Sequence, residues 1–572
     1  MKKTKFYIKL LLCYCICLAT TVTTFSQDLG QISFKNKKPI TVNGGLSLGG
    51  KVYQPFGMDS RRDPFSYTIS VNVNFRILDL IDVPFSMFMM SQNRTFSTPS
   101  YNITGLSPRY QWITVHAGWR SMQFSPYSCA GINFLGGGVE LQPEIFPVRG
   151  KFFFGRLQKH IPHSDTITSY MQEPALARFG GAASIEVGSR KNNAELIFFR
   201  AADRENALLM QDSIGIRPQE NMVIELRTRQ ELNQQITLAF SYAFSAYTLD
   251  TRMPVRVYDH YTYADNFGFL FRPRESSFFS SVYDGRLDYA HDLFNVGISY
   301  RRVDPNYQTM GALYMTNDVE ETQANFSTAL FQNKINFFAS GGIQRNNLGN
   351  NLEVQERRLI SNINVAYIVT ERLNFSANYA NFNTSTTPSQ IILFDSIKFV
   401  QITANIGVVA SYTTQTGGLK HNFTLAVSQQ GMNTINSEFT GLESINNIVR
   451  TLSLNYQTQI PSLAMSVSAG ISHNTQDMHE GKINALAPMI SLGRPFFNRK
   501  LRTSLSWTEN FSKNLDGSTS MVNVFRLNTS GKFFGKHNIA FSTNYMNRRV
   551  NKKNELNKSG EWTATLTYTY AF

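Results

Sequence analysis

The sequence predicts an all-β protein, a single large antiparallel β-barrel that spans a membrane. Apolar and polar residues alternate along many short segments, which gives each extended strand one apolar face and one polar face. Short links alternate with long polar links, as turns and loops do on the two sides of bacterial outer-membrane barrels. After the leader, no stretch contains the roughly 18 apolar residues of a membrane helix.

The first 26 residues have the features of a signal peptide. Four lysines precede a short apolar core over residues 10–18, and Thr24 and Ser26 are small residues at the positions that a signal peptidase reads. We therefore expect cleavage before Gln27. Residues 27–39 are then a short periplasmic segment, and 40–572 form the barrel.

Removal of the leader changes the cysteine count and the charge. Three of the four cysteines lie in the leader, so Cys129 alone remains and neither an internal disulfide nor a cysteine-based zinc site is expected. The leader contains four of the 55 Lys and Arg and none of the 40 acids, which leaves a net charge of +11. The basic residues are dispersed and the chain is exported, so we exclude nucleic acid as a partner. We expect the positive charge either to lie on a solvated surface or to attract anionic solutes.

The last strand shows the alternation most clearly. From Trp562 to Phe572, every second residue is apolar or aromatic, and threonines fill four of the intervening positions. The aromatic face suits lipid and the interfacial girdle, and the threonine face suits a wet lumen. The ending at Tyr568, Tyr570 and Phe572 also resembles the signal that directs outer-membrane barrels to the barrel-assembly machinery.

The same alternation recurs along the rest of the chain, for example over residues 65–76 and 236–245. We count 25 strands between about residue 40 and Phe572. Since both ends are expected in the periplasm, the number must be even, and we predict about 26 strands, within a range of 22–26. Long polar links are expected near residues 159–178, 203–219, 249–276, 304–319 and 383–398.

The odd count points to residues 94–147, where the alternation of short and long links is lost. Either a strand is missed there, or the segment 120–138 folds into the lumen. In the second case the segment narrows the pore and displays Arg120. A structural alternative is a tight strand bend, which Gly136, Gly137 and Gly138 allow.

Charged residues on the polar face of a strand are expected to point into the lumen, because burying charge against lipid costs about 2–4 kcal/mol. One further pair, Arg301 and Arg302, precedes a long loop, and one of the two reaches the lumen or the rim. Such charges either set ion selectivity or pair across the barrel and fill it. The candidates for the lumen or a constriction are Arg76, Arg120, Glu225, Arg227, Arg229, Arg301 and Arg502.

Catalysis and metal binding receive little support from the sequence. The nine histidines are scattered, and no spacing selects the Ser, His and acid set of a hydrolase. His160, His163 and Asp165 share a loop, but two histidines and one acid make a weak metal pattern. We therefore expect no catalytic residues, no metal and no cofactor.

Four segments carry a resemblance to a known family. The chain resembles a family of large outer-membrane β-barrel proteins of the Bacteroidota at residues 124–127, 134–140, 302–305 and 344–348. The family has no firmly assigned activity, so the resemblance implies architecture and compartment and supplies no catalytic residue. Cys129 and Ile132–Asn133 depart from the stretch expected there.

These observations lead to a functional hypothesis with two alternatives. The leading hypothesis is a passive channel for polar or anionic solutes, integral to the outer membrane with both termini periplasmic. The alternative is a structural or assembly partner of a surface-protein export system similar to the type IX machinery, and a barrel hydrolase is a remote third. Expected partners are outer-membrane lipid and lipopolysaccharide, the barrel-assembly machinery and proteins of a secretion complex.

Overall fold

The structure, a computed structural model, describes most of the chain beyond the leader. The described residues are 39–91, 103–144, 146–161, 175–204, 216–256, 268, 270–313, 315–350, 354–388, 399–436, 446–478, 480–552 and 555–572. Their strands are β1 (Ile40–Phe56), β2 (Phe65–Ile77), β3 (Ile81–Met90), β4 (Ile103–Leu106), β5 (Arg109–Tyr110), β6 (Ile113–Ser125), β7 (Cys129–Leu141), β8 (Val148–Gln158), β9 (Arg178–Gly188), β10 (Asn193–Asp203), β11 (Glu220–Glu231), β12 (Ile236–Thr248), β13 (Ser277–Ala290), β14 (Phe294–Val303), β15 (Val319–Leu330), β16 (Ile335–Asn346), β17 (Val354–Ile368), β18 (Leu373–Pro388), β19 (Phe399–Thr416), β20 (Leu419–Asn436), β21 (Asn446–Ile460), β22 (Met465–Met478), β23 (Gly481–Phe496), β24 (Leu501–Lys513), β25 (Thr519–Phe533), β26 (His537–Lys552) and β27 (Glu555–Ala571).

These strands form one closed antiparallel barrel. Each strand pairs with its neighbours in the chain, and β27 pairs with β1 to close the sheet. β4 and β5 both lie between β3 and β6, so they are two pieces of one interrupted strand in the wall. The wall therefore has 26 strands, which confirms the predicted fold class and strand number. An even number also places the two ends of the barrel sheet on the same side of the membrane.

The two faces of the wall differ as the alternation predicts. Large apolar side chains are exposed around the outer surface, among them Leu196, Ile298 and Leu566, each more than half exposed. Closure pairs the strand edges, which lets a barrel satisfy its backbone groups inside a bilayer. Among the described residues no helix has the length and apolar character needed to cross a membrane.

Tight turns join several pairs of neighbouring strands. Phe331, Gln332 and Asn333 have positive φ in the tight turn between β15 and β16. Residues 162–174, 205–215 and 257–267, at the centre of three expected long links, lie outside the described residues. The link expected at 383–398 needs correction, because β18 continues to Pro388 and pairs with β19 over part of that range.

The chain end forms the seam of the barrel. Tyr570 pairs with Leu46 and Tyr568 with Leu48 on β1, and the backbone N–H of Phe572 donates to the Gly44 carbonyl at 3.0 Å. Tyr568 and Tyr570 lie on the same face as exposed Leu566, because side chains two residues apart share a face. They therefore lie on the lipid side of β27, the strand that closes the barrel.

The inner face is not uniform around the barrel. Buried apolar side chains among the described residues run from Met122 to Val319, with Tyr53 and Val73 as the exceptions. One cluster contains most of them and draws on every strand from β6 to β15. We call β6–β15 the packed half of the wall, and β16–β27 with β1–β3 the polar half.

Candidate functional site: a lumen filled on one side

Two segments enter the lumen along the packed half. The first is the end of the β6–β7 hairpin, residues 122–129, which we call the tip. The second is the link that follows β14, residues 304–313, which we call the arm. Pairing between β6 and β7 becomes irregular where the tip begins, between Ser121 and Ser125. Such irregularities bend a strand away from the ladder.

Polar contacts show that the tip crosses the lumen. The hydroxyl of Ser125 donates to Glu225 Oε1 at 2.5 Å, and Arg227 Nη1 donates to the Phe124 carbonyl at 3.0 Å. Glu225 and Arg227 lie on β11, and four wall strands separate β11 from β6. A contact between them therefore spans the interior of the barrel. The Tyr127 hydroxyl adds a hydrogen bond to Asp284 on β13.

The arm pairs with the tip through backbone groups. Cys129 and Gly311 form a parallel bridge, in which the N–H of Ala130 donates to the Gly311 carbonyl at 2.9 Å. The Thr309 hydroxyl donates to the Ser128 carbonyl at 2.7 Å. A Cβ at Gly311 would lie 2.2 Å from the Ser128 carbonyl oxygen, so this approach requires glycine.

The wall holds the arm from the other side. The Ser245 hydroxyl on β12 donates to the Gln308 carbonyl at 2.7 Å. The Asn221 side chain on β11 is fully buried, and its Oδ1 accepts from the N–H of Met310 at 3.0 Å. Because a buried amide is costly unless it is hydrogen-bonded, these contacts stabilise one position of the arm.

Apolar packing completes the filled region. Phe134 on β7 and Phe153 on β8 are fully buried, and their rings stack with centroids 4.3 Å apart. Phe124 of the tip lies against Phe153, with centroids 5.8 Å apart. Tyr307 of the arm is also fully buried, and its hydroxyl donates to the Tyr127 carbonyl at 2.8 Å. We call the tip and the arm together the plug.

The structure contains both causes proposed for the odd strand count, the second only in part. β4 and β5 add one wall strand, and within the segment 120–138 only the tip folds into the lumen, while Arg120 stays in the wall opposite Phe134. The glycines at 136–138 do not form a bend, since they lie within the continuous pairing of β7 with β6 and β8. Gly136 instead permits close strand approach, because a Cβ there would lie 2.1 Å from the Phe154 carbonyl oxygen.

The predicted charged residues fall into two groups. Glu225 and Arg227 contact the tip, and Arg301 pairs with Glu321 at 2.5 Å on the same side of the lumen. Arg302 points to the other face and pairs with Asp304 at 3.0 Å. Glu225, Arg227 and Arg301 therefore use their charges in contacts within the filled region.

The remaining predicted residues lie away from the plug contacts. Arg76 pairs with Asp82 at 2.9 Å, and Arg120 Nη1 donates to the Ser86 hydroxyl at 2.5 Å. Arg229 on β11 and Arg502 on β24 are exposed, and neither forms an ion pair with a residue that the structure describes. Arg502 faces the lumen, on the opposite face from exposed Leu505.

The polar half presents hydroxyl and amide side chains to the lumen. One cavity there has a volume of about 710 Å³, next to Arg502. By strand alternation, the polar side chains that point into it come from β21, β22 and β24–β27. They include Gln457, Gln459, Ser466, Ser504, Asn528, Ser530, Ser542, Thr565 and Thr567.

The arm was not recognised in the sequence, where residues 304–319 are expected to be a solvated external link. The available signal was apolar content, because residues 304–319 include Tyr307, Met310, Leu313 and Met315. Of the weak metal pattern in the sequence, only His160 is among the described residues, because His163 and Asp165 lie outside them. Within the described part, no cluster of three or more His, Cys, Asp or Glu side chains could hold a metal.

Comparisons with known proteins return barrels of the outer membrane. The P pilus usher (PapC) translocation pore is 8% identical with a TM-score of 0.34, over 92% of this chain and 99% of that chain. The ferric enterobactin receptor of Pseudomonas aeruginosa is 9% identical with a TM-score of 0.38, over 93% and 80%. The OccAB4 protein of Acinetobacter baumannii is 11% identical with a TM-score of 0.28, over 66% and 96%.

These values are too low to transfer an activity or a partner. No family model matches the chain, and no curated protein matches it. The chain is an all-β barrel of the outer-membrane type whose lumen is packed along one half of the wall.

Proposed function

We propose that the protein is a passive outer-membrane channel for small polar solutes, which pass between the plug and the polar half of the wall. One observation carries the proposal: the large buried apolar cluster draws on β6 to β15, whereas hydroxyl and amide side chains predominate in the luminal cavity at β21–β27. A wall of this kind hydrogen-bonds water and polar solutes without excluding either sign of charge. We also propose that both ends of the barrel sheet lie on the periplasmic side.

The charges of the polar half favour a weak anion preference. Lys51, Arg502 and Arg526 face the lumen by strand alternation, and none forms an ion pair with a described residue. The acid Glu561 in the same region lies 3.7 Å from Arg61. Salt in a water-filled lumen screens isolated charged side chains over about 8 Å at physiological ionic strength, so their effect on selectivity is small. We therefore expect anions to pass more readily than cations, by a modest ratio.

Planar bilayers test this function. Purified full-length mature protein is expected to give steady single channels, with a reversal potential in a KCl gradient of the sign that indicates chloride preference. Deletion of residues 122–129 should increase the conductance. Absence of a channel in both proteins, when the folded barrel is verified by its heat-modifiable mobility in gels, would contradict the proposal.

A structural role in surface-protein export is the second candidate, and the filled half of the lumen is the observation that favours it. The plug is anchored by buried side chains on β11 and β12. A simple pore does not need an anchored plug that fills half of its lumen. Affinity purification from native outer membranes tests this role. Stoichiometric partner proteins together with silent bilayers would support it over the channel.

A further inference from the structure

A serine, a histidine and a glutamate meet on the inner face below the tip. Ser107 Oγ lies 2.9 Å from His116 Nδ1, and His116 Nε2 lies 3.3 Å from Glu140 Oε1. The imidazole thus has a hydroxyl on one nitrogen and a carboxylate near the other. The plug contacts described above use none of these three side chains.

Strand register brings these residues together. Ser107 lies in the interruption between β4 and β5, where its backbone N–H donates to the Pro84 carbonyl at 2.9 Å. His116 follows on β6, and Glu140 on β7 is paired with Thr114, two residues from His116. All three side chains share the face opposite that of exposed Val115 and Leu141, which is the luminal face.

Arg120 places a positive charge beside the serine. Its Nη2 lies 3.5 Å from the Pro84 carbonyl oxygen, the same oxygen that accepts from the N–H of Ser107. Its guanidinium carbon lies 3.1 Å from the position of a Cβ on Gly105, so a side chain at Gly105 would crowd it. Ser107, His116 and Arg120 together line a cavity of about 580 Å³.

We propose that this cavity is a hydrolytic site for carboxylic esters, with Ser107 as nucleophile and His116 as general base. Ser107 Oγ attacks the ester carbonyl carbon while its proton passes to His116 Nδ1. The bond to the alcohol oxygen breaks, and the alcohol leaves with that proton. Water, deprotonated by the same nitrogen, then adds to the acyl-serine, which releases the carboxylic acid and restores Ser107.

Glu140 and Arg120 have different roles in this reaction. Glu140 is a positioning residue that favours the tautomer with the proton on Nε2 and stabilises the imidazolium that forms. The Nε2 contact lacks hydrogen-bond alignment, and such contacts commonly tighten when substrate binds. The Arg120 guanidinium stabilises the negative charge that develops on the carbonyl oxygen of the substrate.

The lining of the cavity defines the class of ester. β1 and β2 contribute Asn43, Asn72 and Asn74 to the lining of the cavity. Carboxamides donate and accept hydrogen bonds and carry no charge. The site therefore suits small neutral esters of polar alcohols, such as acetylated sugars, which would reach it from the lumen.

A fluorophosphonate probe and p-nitrophenyl acetate test the proposal on the full-length protein in detergent. The probe should label the native protein, and Ser107→Ala should abolish labelling and ester hydrolysis. Ser504→Ala, on the luminal face of β24 and outside this cavity, is the matched control and should retain both. His116→Asn should lower the hydrolysis rate about 10²–10⁴-fold. Glu140→Gln should lower kcat with KM unchanged.

Folding of every variant is checked by heat-modifiable mobility. Native protein that resists the probe, or Ser107→Ala protein that is labelled as strongly as native protein, would overturn the proposal. If Ser107→Ala does not fold, His116→Asn decides the matter, because full hydrolysis by that folded variant would equally overturn it. Channel conductance is measured in parallel, so failure of this site and failure of the channel function are separate outcomes.

Discussion

The packed and polar halves of the barrel are built from the same alternating strands but have opposite inner faces. On the packed half, β10 to β13 turn Phe199, Val223 and Val282 inward, and all three are fully buried. On the polar half, the equivalent face carries residues such as Ser504 and Thr565. Outer faces are apolar on both halves, because both meet lipid. The inner face therefore determines whether a barrel sector packs protein or holds water.

The comparison also shows how a wide barrel is filled. Side chains of the wall alone do not close a barrel of this width. Here two chain segments supply the additional volume, and apolar wall residues occur where those segments lie. Glu225 and Asn221 are buried among them because each accepts hydrogen bonds from the plug. The difference between the halves thus predicts different responses to substitution.

The largest difference is expected in stability. Phe153→Ala removes a fully buried ring from the packed half and should lower the free energy of unfolding by about 3–5 kcal/mol. Phe338→Ala removes a ring that is 38% exposed on the inner face of β16, and should cost less than about 1.5 kcal/mol. Urea unfolding in liposomes measures both. Equal losses would mean that the two halves are packed alike.

A medium effect is expected at the contact between tip and arm. Gly311→Ala places a Cβ against the Ser128 carbonyl oxygen and should separate the two segments at a cost of about 1–3 kcal/mol. Cys129 is fully buried, so its reaction with a maleimide reports the separation. Each 1.4 kcal/mol corresponds to a tenfold change, and labelling should therefore accelerate by about fivefold to 100-fold.

Gly341→Ala is the control for that substitution. Gly341 lies on β16, and a Cβ there meets no atom within 4 Å. Labelling of Cys129 should then remain as slow as in native protein. Unchanged labelling in Gly311→Ala would show that the arm does not protect the tip.

The smallest effect is expected from a single charge in the polar half. Arg502→Glu should move the reversal potential in a KCl gradient toward cation preference by a small amount, because water and salt screen the site. Arg229→Glu, on an exposed residue of the packed half, should have less effect. A larger shift from Arg229 than from Arg502 would place the ion pathway on the wrong side of the lumen.

The sequence alone predicts the barrel architecture but not the contacts between segments inside the lumen. The alternation of polar and apolar residues with a period of two identifies the strands. It also correctly places Glu225 on the luminal face of β11 and Leu226 on the lipid face. It cannot show that Glu225 accepts from Ser125, because that contact joins residues 100 positions apart. Ser107, His116 and Glu140 were missed for the same reason, since their contacts depend on the register of interrupted strands. The arm was missed because its apolar residues follow no period.

Cysteine accessibility in membranes tests the division of the lumen most directly. In a Cys129→Ala background, Thr565→Cys on the polar half and Val282→Cys on the packed half are treated with a charged, water-soluble maleimide. Rapid reaction at position 565 with protection at position 282 is the predicted result. Equal protection of both cysteines, or equal reaction, would contradict a lumen that is filled on one side and wet on the other.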